Sequence, residues 1–186
     1  MIVGIVGLNG SGKDTFANYV IKKYGFAHKD LGQEIRDELK RLKKNHLDRN
    51  EMIALGNERR VEHGFDYWAT KAIESTPGNL IITSVRNPKE VQKIVSSGGV
   101  LIEIVANQKT RYERTVARVK KNSDTHGDVK SFSDFKVNEL KELKNRDPSK
   151  QQLTKCIKMA KYHVSNNSSI EDLHKKIDKL FKKLLV

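Results

Sequence analysis

The chain has 186 residues, of which 37% are hydrophobic and 32% charged, so it is long enough to bury a core and too apolar for a disordered protein. It has one cysteine, which excludes an internal disulfide, and no second cysteine or close histidine pair for a structural zinc site. No apolar run approaches the ~20 residues of a membrane-spanning helix, and the first residues lack a basic leader, so we expect a cytoplasmic protein.

The net charge of +13 permits two interpretations. Lysine-rich surfaces bind nucleic acid by releasing counterions from phosphates, whereas a lysine-coated helix face is often only solvated. Much of the excess falls in the last predicted helix, where apolar residues at helical spacing place the lysines mostly on the opposite face. We therefore favour a solvated face. Nucleic acid stays open as a partner, and the charge also attracts anionic metabolites.

Predicted strands and helices alternate along the chain. Five segments are predicted as strands, at residues 2–6, 26–30, 79–84, 100–105 and 161–167, and the clearest is the apolar run at 79–84. Helical patterns lie between and after them, at residues 13–24, 31–75, 88–97, 110–120, from 131, after 148 and from 169. This order predicts an α/β fold with a parallel sheet covered by helices on both faces.

Two shorter segments carry local predictions. Residues 121–130 (KNSDTHGDVK) contain a single apolar side chain, Val129, and predict a mobile loop. Ser168 and Glu171 have the spacing of a capping box and predict the start of the final helix.

The loop GLNGSGKDT, at residues 7–15, carries the strongest functional signal. A strand, then Gly7-x₄-Gly12-Lys13, then a helix is the context of a phosphate-binding P-loop. The glycines let successive N–H groups point at one phosphate, the helix N-terminus adds positive charge, and Lys13 reaches the β- and γ-phosphates. An ordinary tight turn explains one glycine but not three with a lysine. The predicted ATP-binding residues here are Leu8, Asn9, Gly10, Ser11, Gly12, Lys13, Asp14 and Thr15.

Asp14 stands where a P-loop normally carries a serine or threonine whose hydroxyl ligates Mg²⁺. A carboxylate is also a hard oxygen ligand for Mg²⁺, and Thr15 still offers a hydroxyl. We therefore predict a metal site at Asp14 and Thr15. The alternative is that Asp14 only stabilises the helix N-terminus, where a negative charge is favourable.

Further motifs point to one family. They are GKDT at residues 12–15, LGQEIRDEL at 31–39, IITSVRNPKEV at 81–91 and TRYERTVAR at 110–118. With them the chain resembles, over nearly its whole length, the P-loop nucleoside monophosphate kinase-like family. That family includes adenylate kinases, dephospho-coenzyme A kinases, deoxynucleoside monophosphate kinases and related archaeal-type nucleotide kinases. The resemblance implies a P-loop NTPase fold of three α/β/α layers with a five-stranded parallel sheet. It also implies one domain over 1–186, with a helical acceptor-binding insertion at about 31–75 and a lid at about 111–148.

The resemblance assigns arginines to a phosphorylated acceptor. Arg36 matches the arginine of the family's G-D-x-[IL]-R element, although Gln33 replaces its aspartate. Arg86 matches the arginine of the pattern T-D-V-R-x-P-x-E, which grips the acceptor. Arg59 is carried over from an acceptor-side segment that resembles residues 55–69, in which Trp68 is expected to be a core residue.

The second pattern departs from the family at Ser84, where a carboxylate beside the metal is lost. Asp14 is one candidate to replace its charge. Asp30 is the other, because it sits roughly where dephospho-coenzyme A kinases carry an aspartate that holds the metal through water or accepts a hydroxyl proton. The alternative for Asp30 is a helix cap.

The segment at 110–118 resembles the arm of the family's lid, whose arginines fold over the triphosphate. Spacings of three and four place its three arginines, Arg111, Arg114 and Arg118, on one helix face. Guanidinium groups neutralise phosphate charge bidentately, which phosphoryl transfer requires. The alternative is that they pair with Glu113 and its neighbours at the surface. A further lid arginine matches Arg146. Asn166 matches an asparagine beside the adenine in relatives, or lies in a plain turn.

The predicted activity is ATP-dependent phosphoryl transfer to a small phosphorylated acceptor, a nucleoside or deoxynucleoside monophosphate, with Mg²⁺ as cofactor. The predicted catalytic residues are Lys13, Asp30, Arg86, Arg114 and Arg118. One alternative is a dephospho-coenzyme A kinase with Asp30 as base. Others are an ATP-binding or ATPase module associated with RNA, and a non-catalytic nucleotide sensor, which the missing carboxylate at Ser84 keeps open.

Overall fold

The computed structural model describes residues 1–122, 131–143, 147 and 150–185. Within them, five strands form one parallel sheet in the order β2-β3-β1-β4-β5. The strands are β1 (Ile2–Val6), β2 (Ala27–Asp30), β3 (Leu80–Thr83), β4 (Val100–Val105) and β5 (Tyr162–Ser165). The five-stranded parallel sheet predicted from the sequence is confirmed.

Helices connect the strands and cover both faces of the sheet. They are α1 (Lys13–Tyr24), α2 (Leu31–Arg41), α3 (Arg49–His63), α4 (Tyr67–Glu74), α5 (Pro88–Ser96), α6 (Gln108–Asn122), α7 (Phe132–Leu143), α8 (Leu153–Lys158) and α9 (Ile170–Leu184). The helical region predicted at 31–75 therefore consists of three helices. The predicted loop at 121–130 begins within α6, and its residues 123–130 lie outside the described part of the chain, as does Arg146.

The start of α9 corrects one sequence prediction. The helix is capped by Ser169 and not by Ser168, and the Ser169 side chain accepts a hydrogen bond from the Asp172 backbone N–H at 3.2 Å. Ser169 has the extended backbone that an N-cap needs, with φ −69° and ψ 167°. Two adjacent serines offer the same chemistry, so the sequence alone does not select the one with the right backbone.

Two apolar cores lie on opposite faces of the sheet, and β1 contributes to both because its side chains alternate. Val3 and Ile5 pack in the core that α1 and α9 cover, whereas Val6 packs in the core beneath α2, α4, α5 and α8. Trp68 is fully buried in that second core, as predicted, and its Nε1 donates to the Gly56 carbonyl at 3.2 Å. The predicted three-layer α/β/α architecture is confirmed.

The parallel strands place their carboxyl ends at one edge of the sheet, where α/β proteins bind ligands. The residues at or just after these ends include Gly7, Asp30, Ser84, Ala106 and Asn166. Separately, none of the helices in the described ranges combines the length and the apolar character that crossing a bilayer requires.

Candidate active site

A cleft of ≈ 750 Å³ opens at the carboxyl edge of the sheet, between the glycine loop, the helices α2 and α3, and α6. Small-molecule sites typically have volumes of about 300–1,000 Å³. Most of the residues predicted to be functional line it: Asn9, Gly10, Gly12, Lys13, Asp14, Thr15, Asp30, Arg36, Arg86, Arg114 and Arg118. The fold therefore brings together residues that are up to about a hundred positions apart in sequence.

The glycine loop contains backbone conformations and close contacts that leave no room for a side chain. Gly10 and Gly12 have φ of 77° and 97°, in the left-handed region. A Cβ on Gly12 would lie inside contact distance of the Asn166 side-chain amide, and one on Gly10 would collide with the Arg111 carbonyl. These glycines therefore serve both the curl of the loop and the close approach of its neighbours.

Gly12→Ala is expected to weaken ATP binding at least about tenfold and to lower Tm by several degrees, because left-handed backbone costs about 1–2 kcal/mol and the methyl group displaces Asn166. Isothermal titration and calorimetry measure the two effects. Gly25→Ala is the matched control, since Gly25 has φ 68° but a methyl group added there would meet nothing within 4 Å. Equal losses of ATP affinity in the two variants would contradict this role of Gly12.

Lys13 is held within its own loop. Its Nζ donates to the carbonyls of Gly7 and Leu8 at 2.9 and 3.0 Å. Ser11 is buried, and its hydroxyl has no hydrogen-bond partner among the described residues. Lys13 also lines the cleft, so phosphate oxygens bound there can replace the two carbonyls as acceptors of its ammonium group.

Asp14 and Asp30 differ in what holds them. Asp14 is exposed in the first turn of α1, and no hydrogen bond or ion pair to its carboxylate is present within the described residues. Its place in the first turn is where a negative charge favours the helix N-terminus, so this alternative and the metal-ligand prediction both stay open. Asp30 does cap α2, since its Oδ1 accepts from the backbone N–H groups of Gly32 and Gln33 at 2.7 and 3.2 Å.

Ser84 follows β3 at the position where the resembled family carries a carboxylate. It lines the cleft with φ 60°, which is uncommon for a residue other than glycine. The described acidic residues of the cleft wall are thus Asp14 and Asp30, accompanied by the hydroxyls of Thr15 and Ser84. Carboxylate and hydroxyl oxygens are the hard ligands that Mg²⁺ prefers, so the chemistry of this donor set suits the metal, although the described residues contain no cluster of three His, Cys, Asp or Glu side chains.

The cleft wall is strongly positive. Seven of its described residues are cationic and two are acidic. The cations are Lys13, Arg36, Arg49, Arg60, Arg86, Arg114 and Arg118. No described residue forms a hydrogen bond or ion pair with the Arg36 guanidinium, and the buried Nε of Arg118 also has no partner there. Such a surface attracts and holds polyanions.

Arg59 lies away from the cleft. Its Nε donates to Glu38 at 2.6 Å and its Nη1 to Glu62 at 2.5 Å, contacts that raise the pKa of Arg59. Burial acts to raise the pKa of Glu38, but hydrogen bonds from Arg59 and Lys71 outweigh it and lower the pKa. The next residue, Arg60, is the one that lines the cleft. Successive helical residues point about 100° apart, so neighbours of one type face different surroundings.

Arg111 and Asn166 hold the glycine loop by hydrogen bonds to its backbone carbonyls. Arg111 is buried, pairs with Glu139 of α7, and donates to the carbonyls of Ala106 at 3.0 Å and Asn9 at 3.4 Å. Asn166 donates from Nδ2 to the Ser11 carbonyl at 2.8 Å. Of the three predicted lid arginines, Arg111 is therefore directed at protein carbonyls and a carboxylate.

Arg114 connects α6 to the loop after β5. Its Nη1 donates to the Asn166 carbonyl at 3.0 Å, and the same side chain lines the cleft together with Arg118.

Sequence reasoning did not select Arg49, Arg60 or Glu90. Glu90 stands in the pattern T-D-V-R-x-P-x-E, which was the available signal for it.

A family model described as an AAA domain matches residues 3–134, well over half of the chain. The chain belongs to the AAA domain family. The AAA domain match contains the glycine loop and every described cleft residue except Gln151. The comparison with curated proteins found no match to this sequence.

Solved structures with the same fold include P-loop kinases. Shikimate kinase from Bacteroides thetaiotaomicron has a TM-score of 0.60 and 14% identity, with 100% of this chain and 99% of that chain covered. Shikimate kinase from Acinetobacter baumannii, solved with shikimate, has a TM-score of 0.58 and 17% identity, covering 99% and 92%. TT1252 from Thermus thermophilus has 0.56 and 18%, covering 99% and 97%. The predicted P-loop kinase fold is confirmed; identities this low carry the fold alone.

Proposed function

We propose that this protein is an ATP-dependent phosphotransferase that acts on a small phosphorylated acceptor, most simply a nucleoside or deoxynucleoside monophosphate. One observation carries the proposal: a single cleft joins the glycine loop and Lys13 on one side to Arg36 and Arg86 on the other. Two anion-binding halves in one cavity suit a reaction between two phosphorylated molecules. The proposal includes a cytoplasmic location, where ATP and Mg²⁺ are abundant.

On the donor side, the loop amides and Lys13 hold the β- and γ-phosphates, and Arg114 and Arg118 of α6 reach the same space. Asp14 and Thr15 would hold Mg²⁺, which when bound neutralises charge on the phosphates. Helices α6 and α7 belong to the proposed lid at about 111–148, which excludes water so that ATP is not hydrolysed.

On the acceptor side, α2, α3 and the segment between them combine cationic and apolar groups. Arg36 and Arg49 line the cleft, together with the apolar side chains of Leu47, Met52 and Ile53. An acceptor with one anionic group and one flat, weakly polar body fits this combination. Nucleoside monophosphates have this character, whereas shikimate is small and polyhydroxylated. The region 31–75 is accordingly proposed as the acceptor-binding insertion.

The chemistry asks for positioning and electrostatics rather than a covalent intermediate. Asp30 lies at the end of β2 in the cleft wall, and capping α2 engages its Oδ1. It is proposed to orient the acceptor or a water on the metal. Cys156 is buried, and burial raises the pKa of its thiol to about 12, so it stays protonated and unreactive at neutral pH.

An acceptor panel tests the proposal. Purified protein with MgATP is expected to release ADP and form a phosphorylated product with at least one nucleoside or deoxynucleoside monophosphate. The panel includes dephospho-coenzyme A, shikimate and a reaction without acceptor, read by ADP release and by product mass. Product only from dephospho-coenzyme A or shikimate would reassign the acceptor. The RNA-associated module would be favoured if RNA stimulates ATP turnover and none of the small acceptors changes it.

A further inference from the structure

A buried carboxylate lies where the end of β3 meets the insertion helix α3. Glu90 is 0% exposed and its partner Arg60 is 3% exposed. Oε1 of Glu90 accepts from Arg60 Nε at 3.0 Å and from Arg60 Nη2 at 2.8 Å. Oε2 accepts from the backbone N–H groups of Arg86 at 2.9 Å and of Asn87 at 3.0 Å. Each oxygen of this carboxylate therefore serves a different segment.

These contacts exceed what a helix cap needs. In a capping box the third-position glutamate accepts only from the N-cap N–H, which is that of Asn87 here. Glu90 also accepts a hydrogen bond from the backbone N–H of Arg86 and two from the Arg60 guanidinium of α3. The carbonyl of Arg86 accepts from Gln152 N at 2.7 Å, so the Arg86 peptide groups are held on both sides.

Stability alone does not account for the pair. A buried ion pair gains little over apolar residues of similar volume, because removing two charges from water offsets their attraction. The pair instead links two residues of the cleft wall, since Arg60 and Arg86 both line it. The Arg60 guanidinium is aligned by Glu90 from one side, and its Nη1 also donates to Asn57 at 3.3 Å.

We propose that Glu90 is a positioning residue for the acceptor site. Glu90 fixes Arg86 and Arg60 relative to each other so that both face one bound anion. The inference rests on the proposed function and deepens it, because it names the group that gives the acceptor site its geometry. Arg60, and not its neighbour Arg59, becomes the arginine of α3 that faces the acceptor.

Glu90→Gln tests the proposal with little change in volume. A glutamine has one acceptor oxygen, so it can serve Arg60 or the backbone of residues 86–87 but not both. The acceptor KM is expected to rise about tenfold or more, with the ATP KM changed less than about threefold. A purely structural role would lower the amount of folded enzyme and therefore kcat, without separating the two KM values.

Glu38→Gln is the matched control. Glu38 is also a largely buried carboxylate that binds an arginine of α3, through Arg59 at 2.6 Å, but it does not line the cleft. It is expected to lower Tm without separating the two KM values. Arg60→Lys is the second test variant. It keeps the charge but loses the two-point contact, so an increase confined to the acceptor KM is again expected.

Failure of the inference and failure of the proposed function give different results. If the wild type phosphorylates an acceptor but Glu90→Gln shifts both KM values equally, the positioning role is overturned and the kinase assignment stands. If Glu90→Gln does not fold, an unchanged KM ratio in Arg60→Lys overturns it. If the wild type phosphorylates nothing, amide hydrogen exchange decides. The N–H groups of residues 86 and 87 must then exchange faster in Glu90→Gln or Arg60→Lys than in Glu38→Gln, and equal rates overturn the role.

Discussion

Lys13→Ala is expected to lower kcat for phosphoryl transfer at least about 10³-fold while the protein stays folded. In the proposed function, the Lys13 ammonium is the cation that the loop presents to the β- and γ-phosphates, and in the structure it donates to the carbonyls of Gly7 and Leu8. Its loss removes charge stabilisation where charge moves during transfer. The apolar cores are untouched, so the far-ultraviolet circular dichroism spectrum should not change.

Lys22→Ala is the control for this variant, because Lys22 is an exposed residue at the far end of the same helix. It should retain wild-type kcat. ATP should also raise the Tm of the wild type and of Lys22→Ala by more than that of Lys13→Ala, since the stabilisation by a ligand grows with the logarithm of its concentration relative to its Kd. Unchanged turnover in correctly folded Lys13→Ala protein would refute the active site.

Arg86→Ala is expected to raise the KM of the acceptor about 10- to 100-fold and the KM of ATP less than about threefold. A hydrogen-bonded contact between charged groups is worth about 1.5–3 kcal/mol, which corresponds to that range. The substitution keeps the Arg86 backbone N–H that Glu90 holds, so the loop after β3 should retain its course. Initial-rate kinetics with each substrate varied in turn separate the two constants.

Arg41→Ala supplies the comparison for loss of positive charge. Arg41 is at the exposed end of α2, its side chain is 66% exposed, and it lies outside the cleft. It should change neither KM by more than about twofold, because an exposed charge outside the cleft is screened by water and salt. Equal increases in both KM values for Arg86→Ala would argue against an acceptor role for this arginine.

Sequence reasoning succeeded where function depends on neighbours in the chain. The glycine loop is one continuous stretch whose chemistry follows from its own residues, and the buried strands were apolar runs of adequate length. The parallel sheet could be predicted from those features, whereas the P-loop kinase fold was predicted from the resemblance of several motifs to a known family. Trp68 was correctly expected in the core because a large aromatic residue in a helical pattern usually faces inward.

Individual side chains of the segments 31–75 and 111–148 could not be assigned from the sequence, because their contacts depend on the rotation of helices and on distant partners. Arg59 and Arg60 are equivalent in composition and spacing, yet one turns to Glu38 and the other to the cleft. Arg111 shares a helix face with other arginines, but Glu139 from a separate helix engages it. Nothing in a local pattern states which acidic residue will reach an arginine.

The position of β1 in the middle of the sheet has a consequence for biosynthesis. β1 precedes both of its partners in the chain, and its edges are covered by β3, which begins at Leu80, and by β4, which begins at Val100. At about 5–20 residues per second, the edge of this apolar segment that β4 covers stays open for roughly 5 to 20 s. Nascent chains that stall before β4 would therefore present an open strand edge, which is a template for pairing with another chain.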